Sequence, residues 1–197
     1  MMKALIKELP KDPIDFLIKK LTAPPKKRIV LILPPGLKQN QEDTMNVALM
    51  LHNHLKEDLG ITDINYISVS DLLVREINKR SEYGKQIFES RKNYSYIKDE
   101  IVIDLVRNHI EECERKDKGW ILEGFPRTRM QAMALQNMKI IPDKIFLLNM
   151  ADQILFERLN QKLFLGVGAQ YNSEAQMKML SKNAITEYKM NMHGVKD

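Results

Sequence analysis

An arginine and a glutamine four residues apart, Arg127 and Gln131, close the run Gly119-Trp120-Ile121-Leu122-Glu123-Gly124-Phe125-Pro126-Arg127-Thr128-Arg129-Met130-Gln131. A guanidinium is a planar fork that donates two parallel hydrogen bonds to a phosphate. Residues four apart share a helix face, so both side chains can address one ligand. A second stretch, Leu33-Pro34-Pro35-Gly36-Leu37-Lys38-Gln39-Asn40, follows an apolar strand in the place where a phosphate-cradling loop would be sought. Such a loop needs glycines whose amides converge on the phosphates, a lysine for the outer phosphates and a hydroxyl for magnesium. Between Leu33 and Asn40 there is one glycine, one lysine and no serine or threonine. Elsewhere the chemistry is sparse. His52, His54, His109 and His193 form no ligand pattern, and His52 and His54, two apart, cannot share a helix face, so solvated histidines are expected. The single cysteine, Cys113, excludes an internal disulfide and reads as an inert helical thiol. The twelve methionines read as adaptable core filling.

The elements that must position these residues fit one domain. The chain has 197 residues, 44% hydrophobic and 29% charged, the composition of a globular protein. Its net charge of +5 is spread among acidic residues rather than gathered into a stripe, and no zinc-ligand spacing or RNA-binding aromatic motif occurs, so no nucleic-acid partner is expected. No apolar run reaches membrane-spanning length and the lysine-rich start is unlike a secretory signal, so no membrane partner and a cytoplasmic location are expected. Residues 1–22 read as a helical unit, with Asp12 as cap, Pro13 at the first helical position and Ile14, Phe16, Leu17, Ile18 and Leu21 as an apolar face. Residues 23–27, with Pro24 and Pro25, read as an extended linker. In 28–197, short apolar runs at Ile29–Leu33, Tyr66–Val69, Trp120–Leu122 and Ile145–Leu148 alternate with helical segments, the pattern of a parallel sheet buried on both faces.

These motifs, with Ile67-Ser68-Val69-Ser70-Asp71-Leu72-Leu73, Ser81-Glu82-Tyr83-Gly84-Lys85-Gln86 and Asp99–Val106, resemble the adenylate kinase family from Arg28 to about Met192. The resemblance implies a three-layer α/β fold, a P-loop NTPase-like parallel sheet with a monophosphate-binding insertion at about 70–100 and a short lid at about 162–178. It implies that Arg127 grips a monophosphate and that Gln131 hydrogen-bonds its adenine, with Asp71 in the same site. Glu123 stands for the aspartate that holds metal-bound water. Arg158 falls near the nucleotide base, and Lys162 takes a basic position normally held by arginine. Arg127, Arg158 and Lys162 are thus the residual catalytic candidates, and Asp71, Glu123, Arg127, Gln131 and Lys38 the nucleotide-binding ones.

The departures from the family fall on the phosphate contacts. Leu33 and Lys38 take the two signature glycine positions, Gln39 the lysine position and Asn40 the hydroxyl position, with Lys38 a slipped substitute at best. Val69 replaces a threonine, Val74 and Ala184 replace arginines, and the family's last edge strand has no counterpart before Asp197. The expectation is a catalytically degenerate member serving as a structural subunit. No cofactor is expected, with AMP, ADP or Mg-ATP as the ligands if nucleotide binding is retained. The spacing of residues 5–17 resembles docking modules similar to the regulatory-subunit dimerisation domain of protein kinase A. Together with the Pro-Pro linker, it resembles the adenylate kinase isoenzymes of motile cilia. That resemblance implies protein partners in an axonemal assembly, a radial spoke or neighbouring doublet complex, contacting the N-terminal helix and an open sheet edge near Ile145–Leu148. The alternatives are an active nucleoside-monophosphate kinase making two ADP from ATP and AMP, and a nucleotide-sensing module.

Overall fold

The computed structural model describes residues 11–14, 18, 26–35, 47–57, 60–92, 95–165 and 173–196. Most of the docking-like segment and linker, Gly36–Asn40 and the middle of the expected lid lie outside these residues. Four strands, β1 (Arg28–Ile32), β2 (Ile64–Ser68), β3 (Gly119–Glu123) and β4 (Lys144–Leu147), form one parallel sheet in the order β2-β3-β1-β4. The helices are α1 (Val47–Glu57), α2 (Val69–Asn78), α3 (Glu82–Lys92), α4 (Asp99–Arg115), α5 (Arg129–Asn137), α6 (Asp152–Leu165) and α7 (Glu174–Lys196). Parallel neighbours require crossovers, and helices supply them.

The alternation of side chains along each strand divides the core. Val30, Ile32, Trp120 and Leu122 face one large cluster with Val69, Leu72, Val102, Val106 and Ile110 of α2 and α4. Ile29, Leu31 and Ile121 face the opposite side against Ala48 and Leu55 of α1. The sheet is thus the middle of three layers, as the apolar, non-alternating strands require. Leu155 and Leu159 of α6 pair with Ile185 of α7 in a smaller cluster.

Strand pairing fixes what lies at the carboxyl ends. Ser68 stands opposite Glu123, Leu31 opposite Glu123 on the other side, and Ile32 opposite Leu147. The second strand begins at Ile64 and stops at Ser68, so Val69 opens α2 rather than ending the strand. Among the described residues β4 is an edge strand, with Ile145 60% and Phe146 45% exposed on its two faces. Trp120 is fully buried, and its indole donates to Glu114 Oε1 at 3.1 Å. Arg28 holds the same carboxylate through a two-toothed pair of 2.8 and 2.7 Å.

Candidate functional site

The candidate site is built on the exit of β3. Gly124 has φ +83, a left-handed conformation that suits glycine. Phe125, fully buried, anchors the turn, and the Phe125-Pro126 bond is cis. Thr128 then caps α5, its hydroxyl accepting from the Gln131 amide at 3.2 Å. A Cβ on residue 124 would sit 3.6 Å from Arg127 Nη2, so the guanidinium lies across the glycine. Arg127 Nε is buried with no hydrogen-bond partner.

Gln131 is only 2% exposed, and both ends of its amide are occupied. Its Oε1 accepts from the Arg127 backbone N–H at 2.8 Å, and its Nε2 donates to Asp99 Oδ1 at 2.7 Å. Thr128 Oγ1 donates to the other carboxylate oxygen of Asp99 at 2.8 Å. The first residue of α4 therefore fixes the loop that carries Arg127. A base could meet Gln131 only through its second N–H or its second oxygen lone pair, on a side chain that is almost wholly buried.

Two tyrosines lie within the field of the Arg127 charge. Burial of the Tyr188 hydroxyl raises its pKa and the Arg127 charge opposes the rise; the hydroxyl has no hydrogen-bond partner. Tyr96 is exposed as a residue, yet burial around its hydroxyl pushes its pKa up to about 12 against the pull of Arg127. Both hydroxyls stay protonated at neutral pH and are available as donors.

The carboxylate expected at the metal position is engaged by the protein. Glu123 is 5% exposed, and Tyr66 Oη donates to its Oε2. Burial first, then this bond to the carboxylate, holds the Tyr66 hydroxyl far above its ordinary pKa. At the end of β1, Leu33 is 6% exposed and Pro34 is also buried, so apolar side chains fill the strand end. Beside it opens a cavity of about 240 Å³ between the ends of β1 and β4 and helix α7, with Pro34, Leu147, Asn149, Tyr188 and His193 in its wall. Lys189, also in that wall, is paired with Asp152. Among the described residues no group of three or more histidine, cysteine, aspartate or glutamate side chains could hold a metal ion.

Comparison with known proteins bears on this arrangement directly. The family described as Adenylate kinase matches residues 52–195, which carry three of the four strands and the whole Arg127 loop. The chain belongs to the adenylate kinase family. It is 30% identical over 163 residues to adenylate kinase 8 of Mus musculus, covering 80% of this chain and 30% of that protein. It is 39% identical over 94 residues to the chloroplastic adenylate kinase of Zea mays, covering 48% of this chain and 42% of that protein. An adenylate kinase of a Hydrogenobaculum species is 28% identical over 149 residues, with 73% of this chain and 64% of that protein covered. The chain spans less than half the length of the first two of these relatives.

In the adenylate kinase frame the other candidate residues are now placed. Asp71 lies half-buried in the first turn of α2, two residues after buried Val69, and Val74 is 42% exposed on the same helix. Arg158 is half-buried on α6, and Ala184 is half-buried on α7 one turn before Tyr188. The side chain of Lys162, all of Lys38 and the loop around it lie outside the described residues. Helices α6 and α7 occupy both ends of the expected lid, up to Leu165 and from Glu174. His52 corrects the expectation of solvated histidines: it is half-buried against β2, with Nε2 3.3 Å from the Ile64 carbonyl.

Sequence reasoning missed Asp99 as a positioning group, Tyr66 as the partner of Glu123, and Tyr96 and Tyr188 as neighbours of Arg127. No local signal pointed to the Tyr66 contact: it follows from the register of β2 on β3, in which Ser68 stands opposite Glu123 and Tyr66, two residues earlier, is a same-face diagonal neighbour.

Proposed function

We propose that this adenylate-kinase-family chain is catalytically degenerate and serves as a structural subunit of a larger assembly, placed in the ciliary axoneme at a radial spoke or neighbouring doublet complex. The observation that carries the loss of catalysis is the end of β1, where Leu33 at a signature glycine position is buried in the core. A leucine there lacks the backbone freedom by which a glycine lets amides converge on phosphate oxygens. The Tyr66 bond to Glu123 adds to this, because a carboxylate already accepting a buried hydroxyl is a poor holder of metal-bound water. Val69, Val74 and Ala184 supply no charge to a phosphate. The residues present thus do not fit a magnesium triphosphate.

Phosphoryl transfer rests on positioning and charge neutralisation, and each lost preorganised donor costs about 3 kcal/mol, roughly a hundredfold in rate. A coupled assay with ATP, AMP and magnesium is expected to give no ADP above a mock purification. Turnover by the wild-type chain that Arg127→Ala abolishes would overturn the proposal and make the chain an active monophosphate kinase.

The structural role is supported by β4, an edge strand among the described residues, and by the docking-like pattern of residues 1–22, which the proposal assigns as the two partner contacts. The axonemal placement is supported by the resemblance of that segment and its Pro-Pro linker to those of ciliary isoenzymes. A tagged chain expressed in ciliated cells is expected to stay with detergent-extracted axonemes and to lose that association when residues 1–22 are removed. Complete release into the detergent-soluble fraction would sink the placement.

One observation favours a second reading, a module that binds a nucleoside monophosphate without turnover. Arg127 Nε is buried and unpaired, which costs stability unless a ligand satisfies it. Calorimetry with AMP decides this: binding at micromolar strength supports the reading, and no heat at millimolar AMP dismisses it.

A further inference from the structure

An apolar groove of about 330 Å³ runs beside β4, between that strand, helix α5 and the last turn of α7. Leu135, Ile140, Ile141, Pro142, Ile145 and Val195 line it, and among the described residues Gln136 is the one polar side chain in its wall. Ile145 stands opposite Val30 in the strand register, so it projects to the face of the sheet that carries the main core cluster. Val30 is fully buried there, whereas Ile145 is 60% exposed and Ile141, on the rim, 79% exposed. Apolar surface gathered in one place, unlike single exposed residues, marks a docking site.

The amino-terminal segment of the same chain joins the sheet next to this groove. Arg28, the first residue of β1, donates its N–H to Asp143 Oδ2 at 2.7 Å, and its carbonyl accepts from the Asp143 N–H at 2.7 Å. Asp143 directly follows Pro142 of the groove wall, so the chain entering at Arg28 passes roughly 10 Å from Ile145, given the rise and spacing of paired strands. Further back the chain turns helical at Pro13, with Asp12 Oδ1 accepting from the Ile14 N–H at 2.9 Å. Ile14 and Ile18, four residues apart and so on one helix face, are 71% and 52% exposed. In the sequence Leu17 and Leu21 continue the same stripe. Residues 19–25 separate Ile18 from Lys26, and a linker of that length spans up to about 25 Å when extended, which exceeds the gap to the groove. Such a tether presents the stripe to the groove at an effective concentration of roughly millimolar order.

We infer that the apolar stripe of residues 14–21 docks into the groove beside β4 in the free chain and covers that edge until a partner displaces it. Stripe and groove both lose water on contact, and the short tether favours this segment over a separate molecule. The inference deepens the structural-subunit reading and rests on it for the partner. The two surfaces assigned there as partner contacts occupy each other, so a partner engages both or neither.

Disulfide trapping in the full chain tests the docking. Ile18→Cys/Ile141→Cys is compared with Ile18→Cys/Met179→Cys, whose second site is exposed on α7 roughly 24 Å along the helix from Val195. Both introduced thiols replace exposed side chains, and buried Cys113 stays silent. Under mild oxidation the groove pair is expected to form an intramolecular disulfide at least tenfold faster than the control pair. Equal rates overturn the inference, and a disulfide-linked dimer in place of the intramolecular bond overturns it in favour of a second copy. Hydrogen exchange supplies an independent readout that needs no cysteine. Amides of residues 140–147 are expected to exchange at least threefold faster in Ile14→Asp/Ile18→Asp than in wild type, and unchanged exchange overturns the inference. Both measurements use the isolated chain, so loss of axonemal retention with both results intact defeats the subunit reading alone, while retention with either result reversed defeats this inference alone.

Discussion

Asp99→Ala removes the acceptor that ties helix α4 to the Arg127 loop, and its cost can be worked from the contacts. Two side-chain donors end on this carboxylate, Gln131 Nε2 at 2.7 Å and Thr128 Oγ1 at 2.8 Å. Hydrogen bonds to a charged group contribute about 1.5–3 kcal/mol each, so the pair sets an upper range of about 3–6 kcal/mol. Asp99 is half-buried, and water entering at the alanine would satisfy the threonine hydroxyl in part. Gln131, at 2% exposure, is harder for water to reach. The expected net loss is therefore about 2–4 kcal/mol, which for a chain of this size lowers the melting midpoint by roughly 5–15 °C. Trp120 is the only tryptophan and is fully buried, so its fluorescence during urea unfolding reads the loss without a label. Asp99→Asn keeps one acceptor oxygen and should lose about half as much. Combining Asp99→Ala with Gln131→Met removes the orphaned amide, and the double variant should cost clearly less than the sum of the two single ones. A loss below about 1 kcal/mol for Asp99→Ala, or strict additivity in the double variant, would refute the argument that this carboxylate fixes the loop.

Other consequences are as open to measurement. Burial works to raise the Glu114 pKa, but the hydrogen bonds from Arg28 and Trp120 outweigh it and hold it below 4.5. A depressed carboxylate contributes stability above its unfolded pKa and loses it as pH falls through the folded one, so urea midpoints should fall with acidification below about pH 4.5, less so in Glu114→Gln. Gly84→Ala would place a Cβ 2.1 Å from the Glu76 carbonyl oxygen, forcing α2 and α3 apart; a loss of about 1–3 kcal/mol in chemical denaturation is expected. Burial raises the Cys113 thiol above its ordinary pKa, so a disulfide reagent should label it slowly in the native protein and at once in urea. Tyr66→Phe leaves the buried Glu123 carboxylate without this donor, and a lowered unfolding midpoint is expected; an unchanged midpoint would show that the bond does not hold.

Much of the architecture was legible along the chain because its signals are local. Four short apolar runs separated by long amphipathic segments require a parallel sheet between helical layers, and the strands Arg28–Ile32, Ile64–Ser68, Gly119–Glu123 and Lys144–Leu147 fall on those runs within two residues or so at each end. Arg127, Gln131 and Glu123 were legible as a set because they belong to one continuous stretch, whose glycine and proline announce a strand leaving the sheet. The edge position of β4 was expected from the family resemblance and not from any local pattern; among the described residues β4 has one strand neighbour, and Ile145 and Phe146 are exposed.

What each side chain is doing was decided only by tertiary contact. Glu123 and Tyr66 are 57 positions apart and meet because β2 lies beside β3 in one register. Asp99 reaches Gln131 across 32 positions, because α4 starts beside the loop that starts α5. Tyr188 joins the main core cluster of the sheet only because α7 packs onto it. Helical and strand periodicity is a property of a few consecutive residues and is therefore written in the sequence. Whether a polar group is satisfied or orphaned depends on distant segments brought together by packing, and no local pattern carries it.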